Sequence, residues 1–202
     1  MKKENIRDVI NNLEKTSQKV RGEMIIDHIN YIKNKEGSGG LEKMKERMID
    51  LGVSLDLTKI KPERWVSNDL SSQIIIIAYH IFHWNEKDVF EMGYSAPRFP
   101  VGIKVLVQTI LSSKKMFKEL PIYWKNIFNF GKLKPLEFNE ELQHAKLQIM
   151  ETKTLHPILY SHMQGYLKGL AELIIPGKKI TIEQSKSILG GDKYDEYIIY
   201  WI

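Results

Sequence analysis

The stretch that most constrains the fold runs from Lys178 to Ile202. Polar and apolar residues alternate from Lys178 to Glu183, and an aromatic-rich run extends from Tyr194 to Ile202. Between them lies the turn-forming sequence Gly190-Gly191-Asp192. Two short apolar runs around such a turn are typical of a β-hairpin. Because the second run is densely apolar, we expect the chain to bury its C-terminus in a sheet.

A second hairpin is predicted between Leu133 and Ile149, where the apolar period also changes to two. The alternating apolar residues are Leu136, Phe138, Ala145, Leu147 and Ile149. The link between the two strands is Asn139-Glu140-Glu141.

A long helix separates the two predicted hairpins. Pro157 is suited to open it, and Pro176-Gly177 is suited to stop it. Its apolar stripe consists of Leu159, Met163, Tyr166, Leu170 and Leu173. Gly165 and Gly169 remove side chains from one stripe of this helix, which favours close packing against the sheet over a ligand pressed on bare backbone.

The chain up to Gly52 predicts three amphipathic helices. Their apolar faces carry Ile6, Val9, Ile10 and Leu13, then Ile25, Ile29 and Ile32, then Leu41, Met44, Met48 and Leu51. We expect the second helix to follow Val20-Arg21-Gly22-Glu23 and to end at the loop Gly37-Ser38-Gly39-Gly40. Gly52 is suited to cap the third.

The central part of the chain continues the helical pattern. Ser71 or Ser72 is suited to cap a helix whose residues from Ile74 to Phe82 are apolar in almost every direction, which places it at the centre of the core. Asn85-Glu86-Lys87-Asp88 is typical of the start of the next helix. A later helical face is formed by Ile103, Leu106, Val107 and Ile110.

Pro121 fits the first turn of a short aromatic helix that carries Trp124, Ile127 and Phe128. Gly131 can close that helix. The order of elements therefore predicts an α+β fold. We expect an N-terminal helical bundle packed on a four-stranded antiparallel sheet, with one helix between the two strand pairs.

Composition limits the classes of protein to which this chain can belong. Its 202 residues, 43% of them hydrophobic, suffice for one sizeable core, so residues 1–202 are expected to form a single ligand-binding-like domain. The 30 basic and 25 acidic residues are mixed along the chain, which argues against nucleic-acid binding. The absence of cysteine excludes disulfides and thiolate chemistry and fits a reducing compartment.

The segment from Ile74 to Trp84 is the longest apolar concentration in the chain. It is interrupted by His80 and His83 and is well short of the ~20 residues that a membrane span needs. The N-terminus lacks the apolar core of a signal peptide. We therefore expect a cytoplasmic protein that does not insert into membranes.

Motifs of common enzymes are missing from the sequence. There is no Gly-x-Ser-x-Gly elbow, no phosphate-binding loop ending in Lys-Ser or Lys-Thr, and no dinucleotide fingerprint. The paired carboxylates Glu140 and Glu141 fit a solvated turn. We predict no catalytic residue, no cofactor and no enzymatic activity.

Histidines are the remaining candidates for a metal or acid–base site. His80 and His83 are three residues apart on a predicted helix, so both could reach one metal ion. No carboxylate follows them as it does in a His-Glu-x-x-His zinc motif. The sequence therefore favours a pair of partly buried helix histidines over a metal site. His156 precedes Pro157 and is expected to be a cap or turn residue. His162 is expected either to line a pocket or to be exposed.

Aromatic residues suggest an internal pocket, although most of them are expected to belong to the core. An apolar cavity with a few polar tips is how small hydrophobic ligands are held. The candidate pocket residues are Phe99, Ile103, Val107, Phe117, Trp124, Phe128, Tyr160 and His162.

Three short motifs resemble those of the four-vinyl-reductase-type domain and its uncharacterised bacterial relatives. They are Val20-Arg21-Gly22-Glu23, Met92-Gly93-Tyr94-Ser95-Ala96, and Gly191-Asp192-Lys193-Tyr194-Asp195-Glu196-Tyr197 with Trp201. The resemblance covers nearly the whole chain. It implies the fold shared by haem nitric oxide/oxygen-binding domains and TRAPP vesicle-tethering subunits.

The resemblance also implies cofactors for which this chain lacks residues. Relatives use two cysteines of the C-terminal motif in zinc binding, but Ser187 and Asp195 stand at those positions, so we predict no metal. The haem-binding branch needs a proximal histidine, and Lys114 to Phe128 contains none. Its Tyr-x-Ser-x-Arg clamp is missing from Lys146 to Leu155, and Tyr94-Ser95-Ala96-Pro97-Arg98 has the wrong spacing and place.

Four functions remain as hypotheses. The first is a non-enzymatic sensor or binding domain, expected to be a homodimer, that holds a small hydrophobic molecule and signals through a partner. The second is a structural or adaptor dimer with a filled core, as in the TRAPP-like relatives. The third is a haem-binding gas sensor with an unusual axial ligand such as His83 or His162. Reduction of a tetrapyrrole vinyl group ranks last.

Overall fold

A computed structural model describes residues 5–13, 15–96, 112–152 and 156–202 of the chain. Within these residues the helices are α1 (Ile6–Asn12), α2 (Gly22–Asp50), α3 (Asn68–Ile81), α4 (Glu86–Ser95), α5 (Ser113–Ile127) and α6 (Ile158–Ile174). The strands are β1 (Lys19–Arg21), β2 (Trp65–Ser67), β3 (Lys132–Asn139), β4 (His144–Met150), β5 (Ile180–Lys186) and β6 (Asp195–Trp201). The predicted α+β architecture is confirmed.

The four-stranded sheet has the order β3-β4-β6-β5, and every neighbouring pair is antiparallel. Alternate residues of β4 are buried, as the period of two predicts. Leu147 lies opposite Tyr197, and Ala145 lies opposite Ile199, so these side chains share the buried face. Both predicted hairpins are therefore confirmed, and the C-terminal strand is an inner strand of the sheet.

Helix α6 covers the buried face of this sheet. Its residues Leu170 and Ala171 border the same small apolar gap, of about 10 Å³, as Leu147 and Ile199. Helix α5 contributes Phe117 to this gap. The sheet core is thus closely packed, with no room for a ligand at this point.

Helix α3 is the apolar centre of the helical part. Residues Ile74 to Ala78 are all buried, whichever way they point around the helix. Burying one such isoleucine contributes roughly 1.5–3 kcal/mol relative to leaving it exposed. The predicted cap was wrong: Ser67 accepts the cap hydrogen bond from the Asp69 amide, at 3.1 Å. Ser71 and Ser72 lie inside the helix and are buried.

The structure refines the local predictions around α2. Val20 and Arg21 lead directly into α2, as predicted, since the helix begins at Gly22 with Arg21 as its N-cap residue. They also form β1, which pairs with the unpredicted strand β2. The predicted end of the second helix is confirmed at Gly37, whose non-helical φ of 75° and ψ of −177° divide α2 into two helices joined by a kink. Only the extent of the predicted loop is wrong, because Ser38 to Gly40 are helical. Gly52, with a φ of 74°, follows the end of that helix as predicted.

Pro121 does not open a helix. Helix α5 begins eight residues earlier, where Ser112 accepts a cap hydrogen bond from the Lys115 amide. Pro121 is therefore inside the helix, where its ring nitrogen cannot donate to the carbonyl one turn back. The helix nevertheless continues to Ile127, because one side is anchored by buried apolar residues. These residues are Met116, Phe117, Leu120, Trp124 and Ile127.

Gly165 of α6 serves a helix–helix contact, not the contact with the sheet that the sequence predicted. A methyl group on Gly165 would overlap the carbonyl oxygen of Phe90, and one on Gly93 would overlap the carbonyl oxygen of His162. Helices α4 and α6 therefore meet backbone to backbone. Among the described residues, no helix is both long and apolar enough to cross a bilayer.

We expect Gly165→Ala to destabilise the protein by about 1–3 kcal/mol, because the added methyl forces α4 and α6 apart. Gly39→Ala is the matched control, since nothing lies within 4 Å of the added methyl on this exposed helical residue. Helix propensity should make that variant up to about 1 kcal/mol more stable. Urea unfolding monitored by circular dichroism measures both changes. Equal effects of the two variants would contradict the close contact.

Candidate functional site

A cavity of about 110 Å³ lies where α3 and α6 meet the end of β4 and the start of β6. Its apolar walls are Met24, Ile75, Phe128, Phe130, Ile149, Leu159, Met163 and Tyr166. Its polar or polar-tipped walls are Gln18, Asn68, Ser71, Ser72, Thr152, His156, Tyr160, His162, Asp195 and Tyr197. The cavity therefore lies at the junction of the helical part and the sheet.

The structure brings three of the predicted pocket residues to this cavity: Phe128, Tyr160 and His162. Trp124 lies behind the wall, where its ring stacks on Phe128 at 4.3 Å and its Nε1 donates to the Phe130 carbonyl at 2.9 Å. Phe117 borders the gap in the sheet core instead.

Phe99, Ile103 and Val107, the remaining predicted pocket residues, lie outside the described residues. Ligand binding by the eight predicted residues stays a prediction.

A buried pair of histidines joins α2 to the cavity. His28 is fully buried, His162 is 6% exposed, and their Nε2 atoms are 3.0 Å apart. The rings are nearly perpendicular, at 83°. A hydrogen bond at this distance requires one Nε2 to carry a proton and the other to accept it, so the two rings are opposite tautomers. His28 Nδ1 has no hydrogen-bond partner among the described residues.

Both histidines are held neutral. Burial lowers the pKa of His162 to about 4. Burial, and secondarily the neighbouring His162, lowers the pKa of His28 well below its usual value. A proton added to either ring would be placed in an apolar interior, where charge is costly unless it is paired.

Sequence reasoning missed His28, although a signal for it was present. His28 follows Ile25 by three residues and precedes Ile32 by four, so it lies on the apolar face that the helical spacing predicts. It was overlooked because its partner, His162, is 134 residues away in the sequence.

The predicted pair of helix histidines does not form. His80 is in the last turn of α3, whereas His83 lies beyond the helix, is exposed and has a φ of 55°. His156 is a turn residue as expected, since its Nδ1 accepts from the Ile158 amide at 3.2 Å. The described part of the chain contains no group of three His, Cys, Asp or Glu residues that could hold a metal ion.

Asp195 connects the cavity to the C-terminal hairpin. Its carboxylate accepts hydrogen bonds from the Ile188 amide at 3.0 Å, the Gln184 side chain at 3.2 Å and the Thr152 hydroxyl at 3.4 Å. Burial raises its pKa above the usual value. This carboxylate therefore orders the link between β5 and β6. No lysine or arginine is among the described residues that line the cavity.

Stability should fall on acidification because of the histidine pair. Each histidine has a lowered pKa in the folded state, so the unfolded chain takes up protons first as the pH falls below 6.5. The free energy of unfolding should decrease by up to about 1.4 kcal/mol per pH unit for each histidine, until the folded state is also protonated.

The test compares the wild type with the double variant His28→Gln/His162→Gln in urea unfolding between pH 7 and about pH 4. The double variant should lose part of the acid slope, whereas the exposed control His83→Gln should keep it. Parallel curves for wild type and double variant would contradict the neutral buried pair.

Comparison with known proteins identifies the fold. No family model matches the chain, and no curated protein matches it significantly. Among solved structures, an H-NOX protein from S. oneidensis in the Fe(II)NO ligation state matches with a TM-score of 0.63 and 11% identity. The match covers 90% of this chain and 99% of that chain.

Two other solved structures are similar to the chain. An oxygen-binding H-NOX domain related to soluble guanylate cyclases matches with a TM-score of 0.59 and 11% identity, over 90% of this chain and 94% of that one. A structure described as modulating haem redox potential through porphyrin distortion has a TM-score of 0.57 and 10% identity, over 90% and 98% of the two chains. At such identities the likeness concerns the fold alone: the chain has the fold of H-NOX domains.

Proposed function

We propose that this protein is a sensor domain that holds a small molecule in the cavity between α3 and α6. The observation that carries the proposal is the cavity itself, lined by the buried His162 at the junction of the helices and the sheet. The H-NOX fold supports a sensor, because the similar structures include NO-ligated and oxygen-binding proteins. An open cavity also favours a sensor over the alternative of an adaptor with a filled core.

The volume of the cavity limits the size of the ligand. A dry cavity of about 150 Å³ can take up benzene, whereas sites for drug-sized ligands span about 300–1,000 Å³. At about 110 Å³, this cavity fits a molecule of only a few non-hydrogen atoms. The function is therefore that of a sensor for a gas or a very small organic molecule.

Haem is the ligand that the fold of the similar structures favours, more than the unspecified hydrophobic molecule that the sequence suggested. The residues described here do not fit it. His162 Nε2 is already paired with His28, and His156 Nδ1 already accepts from a backbone amide. No cationic side chain among the described lining residues could hold the propionates, and Asp195 would repel them. The cavity is also smaller than a porphyrin.

We keep haem-based gas sensing as the second candidate function, because of the likeness to haem-binding structures. We propose no catalytic activity. Homodimer formation, signalling through a partner, a cytoplasmic location and membership of the four-vinyl-reductase-type family remain proposals from the sequence.

A cavity-filling variant tests the leading function. Wild type, Ile75→Phe and the control Ile122→Phe are screened by thermal shift and native mass spectrometry against small neutral molecules. Ile75 lines the cavity, whereas Ile122 is 61% exposed and remote from it. A ligand at 100 times its Kd should stabilise the wild type and the control by about 2.7 kcal/mol, and Ile75→Phe far less.

Two outcomes would contradict the proposal: no compound stabilises the wild type, or the same compounds stabilise Ile75→Phe equally. Unfolding of the unliganded Ile75→Phe variant is measured first, since overpacking alone can cost about 1–3 kcal/mol.

Hemin titration tests the second function. From the residues at the cavity, we expect wild type, His162→Ala and His83→Ala to give the same absorption spectrum as free hemin with nonspecific protein. A Soret band that is present in the wild type and in His83→Ala but lost in His162→Ala would establish haem ligation. That outcome would replace the leading proposal.

A further inference from the structure

Two buried serines of α3 line the cavity, and neither side chain has a hydrogen-bond partner among the described residues. Ser71 is 5% exposed and Ser72 is 4% exposed, and both line the cavity. Neither side chain forms a hydrogen bond with another described residue. In most helices a buried serine hydroxyl bonds to the backbone carbonyl one turn back, as Ser95 does with Met92 in α4, at 2.9 Å.

Folding alone gives no reason for these two serines. The rest of the helix core, from Ile74 to Ala78, is apolar and buried. Alanine would have a higher helix propensity at both positions and would place no hydroxyl at the cavity wall. Hydroxyls at these positions are therefore expected to bond to something inside the cavity, either water or a ligand.

The neighbours of the serines restrict the charge of such a ligand. The described lining residues include no lysine or arginine, so an anion would have no counter-ion. The nearby histidines His28 and His162 are neutral and bonded to each other. Asp195 is the one carboxylate among the described lining residues, and its oxygens already accept three hydrogen bonds.

The remaining walls restrict the shape of the ligand. Phe128, Phe130, Leu159 and Met163 provide apolar surface, and Ser71 and Ser72 with Asn68 provide a polar patch on one helix. Each hydroxyl can donate one hydrogen bond and accept others. The complementary ligand has one head that both donates and accepts, and a short apolar tail.

We propose that the cavity binds a small uncharged molecule with a hydroxyl or amide head, which Ser71 and Ser72 hold by hydrogen bonds. This inference rests on the proposed sensor function and specifies its ligand class. It distinguishes a neutral polar ligand from an amine, from a carboxylate and from haem.

Three probes of one carbon skeleton test the ligand class at neutral pH: isobutanol, isobutylamine and isobutyrate. Binding is measured by two-dimensional NMR titration of wild type, Ser71→Ala/Ser72→Ala and the control Ser38→Ala. Ser38 lies in α2 and is exposed. Isobutanol should bind to wild type and to the control, and its Kd should rise at least about tenfold in the double variant. Isobutyrate should not bind.

The double variant should fold, because it removes two hydroxyls that form no hydrogen bond with another described residue and places alanine, the best helix former, in a helix. Its unliganded Tm should equal or exceed that of the wild type. Loss of isobutanol binding in a variant that is at least as stable would therefore report a lost contact, not lost folding.

Three outcomes would overturn the inference: tighter binding of isobutylamine or isobutyrate than of isobutanol, equal isobutanol binding in the double variant, or no binding of any probe. The cavity-filling screen separates these from failure of the sensor function. If that screen finds a ligand that Ile75→Phe excludes, the function stands and only the ligand class is wrong.

Discussion

The structure depends above all on the burial of helix α6 between the sheet and the other helices. One side of α6 covers the sheet through Leu170 and Ala171, and another side contacts the backbone of α4 through Gly165. A third side carries His162 and Met163 to the cavity. Because a single helix contacts both layers, the position of the cavity follows directly from the packing of the core.

The parts of the fold that depend on local sequence could be predicted. Both hairpins follow from an apolar period of two, and α3 follows from apolar residues at every position of the helix. Helix boundaries were less predictable, because Ser67 competes with Ser71 and Ser72 as a cap. The three-residue strands β1 and β2 carry too few residues to show any period.

The cavity could be predicted only in part, because its walls come from distant segments. The sequence could predict Phe128, Tyr160 and His162, because aromatic side chains and polar-tipped groups such as histidine commonly line pockets for small ligands. Local sequence predicts Ser71 or Ser72 as a helix cap and not as a cavity wall. The pairing of His28 with His162 depends on contact between two helices far apart in the chain. Such contacts leave no local pattern.

A shared fold does not settle the chemistry of the site. In this chain the described walls of the cavity offer neutral imidazoles, hydroxyls and one carboxylate that already accepts three hydrogen bonds. These groups suit hydrogen bonding to an uncharged molecule better than coordination of iron.

The contact between α4 and α6 has a mechanical consequence. Side chains at most helix–helix contacts can change rotamer and so absorb a small displacement. Where Gly93 and Gly165 bring two backbones together, there is no side chain to do so. A displacement of α6 at the cavity would therefore displace α4 as well.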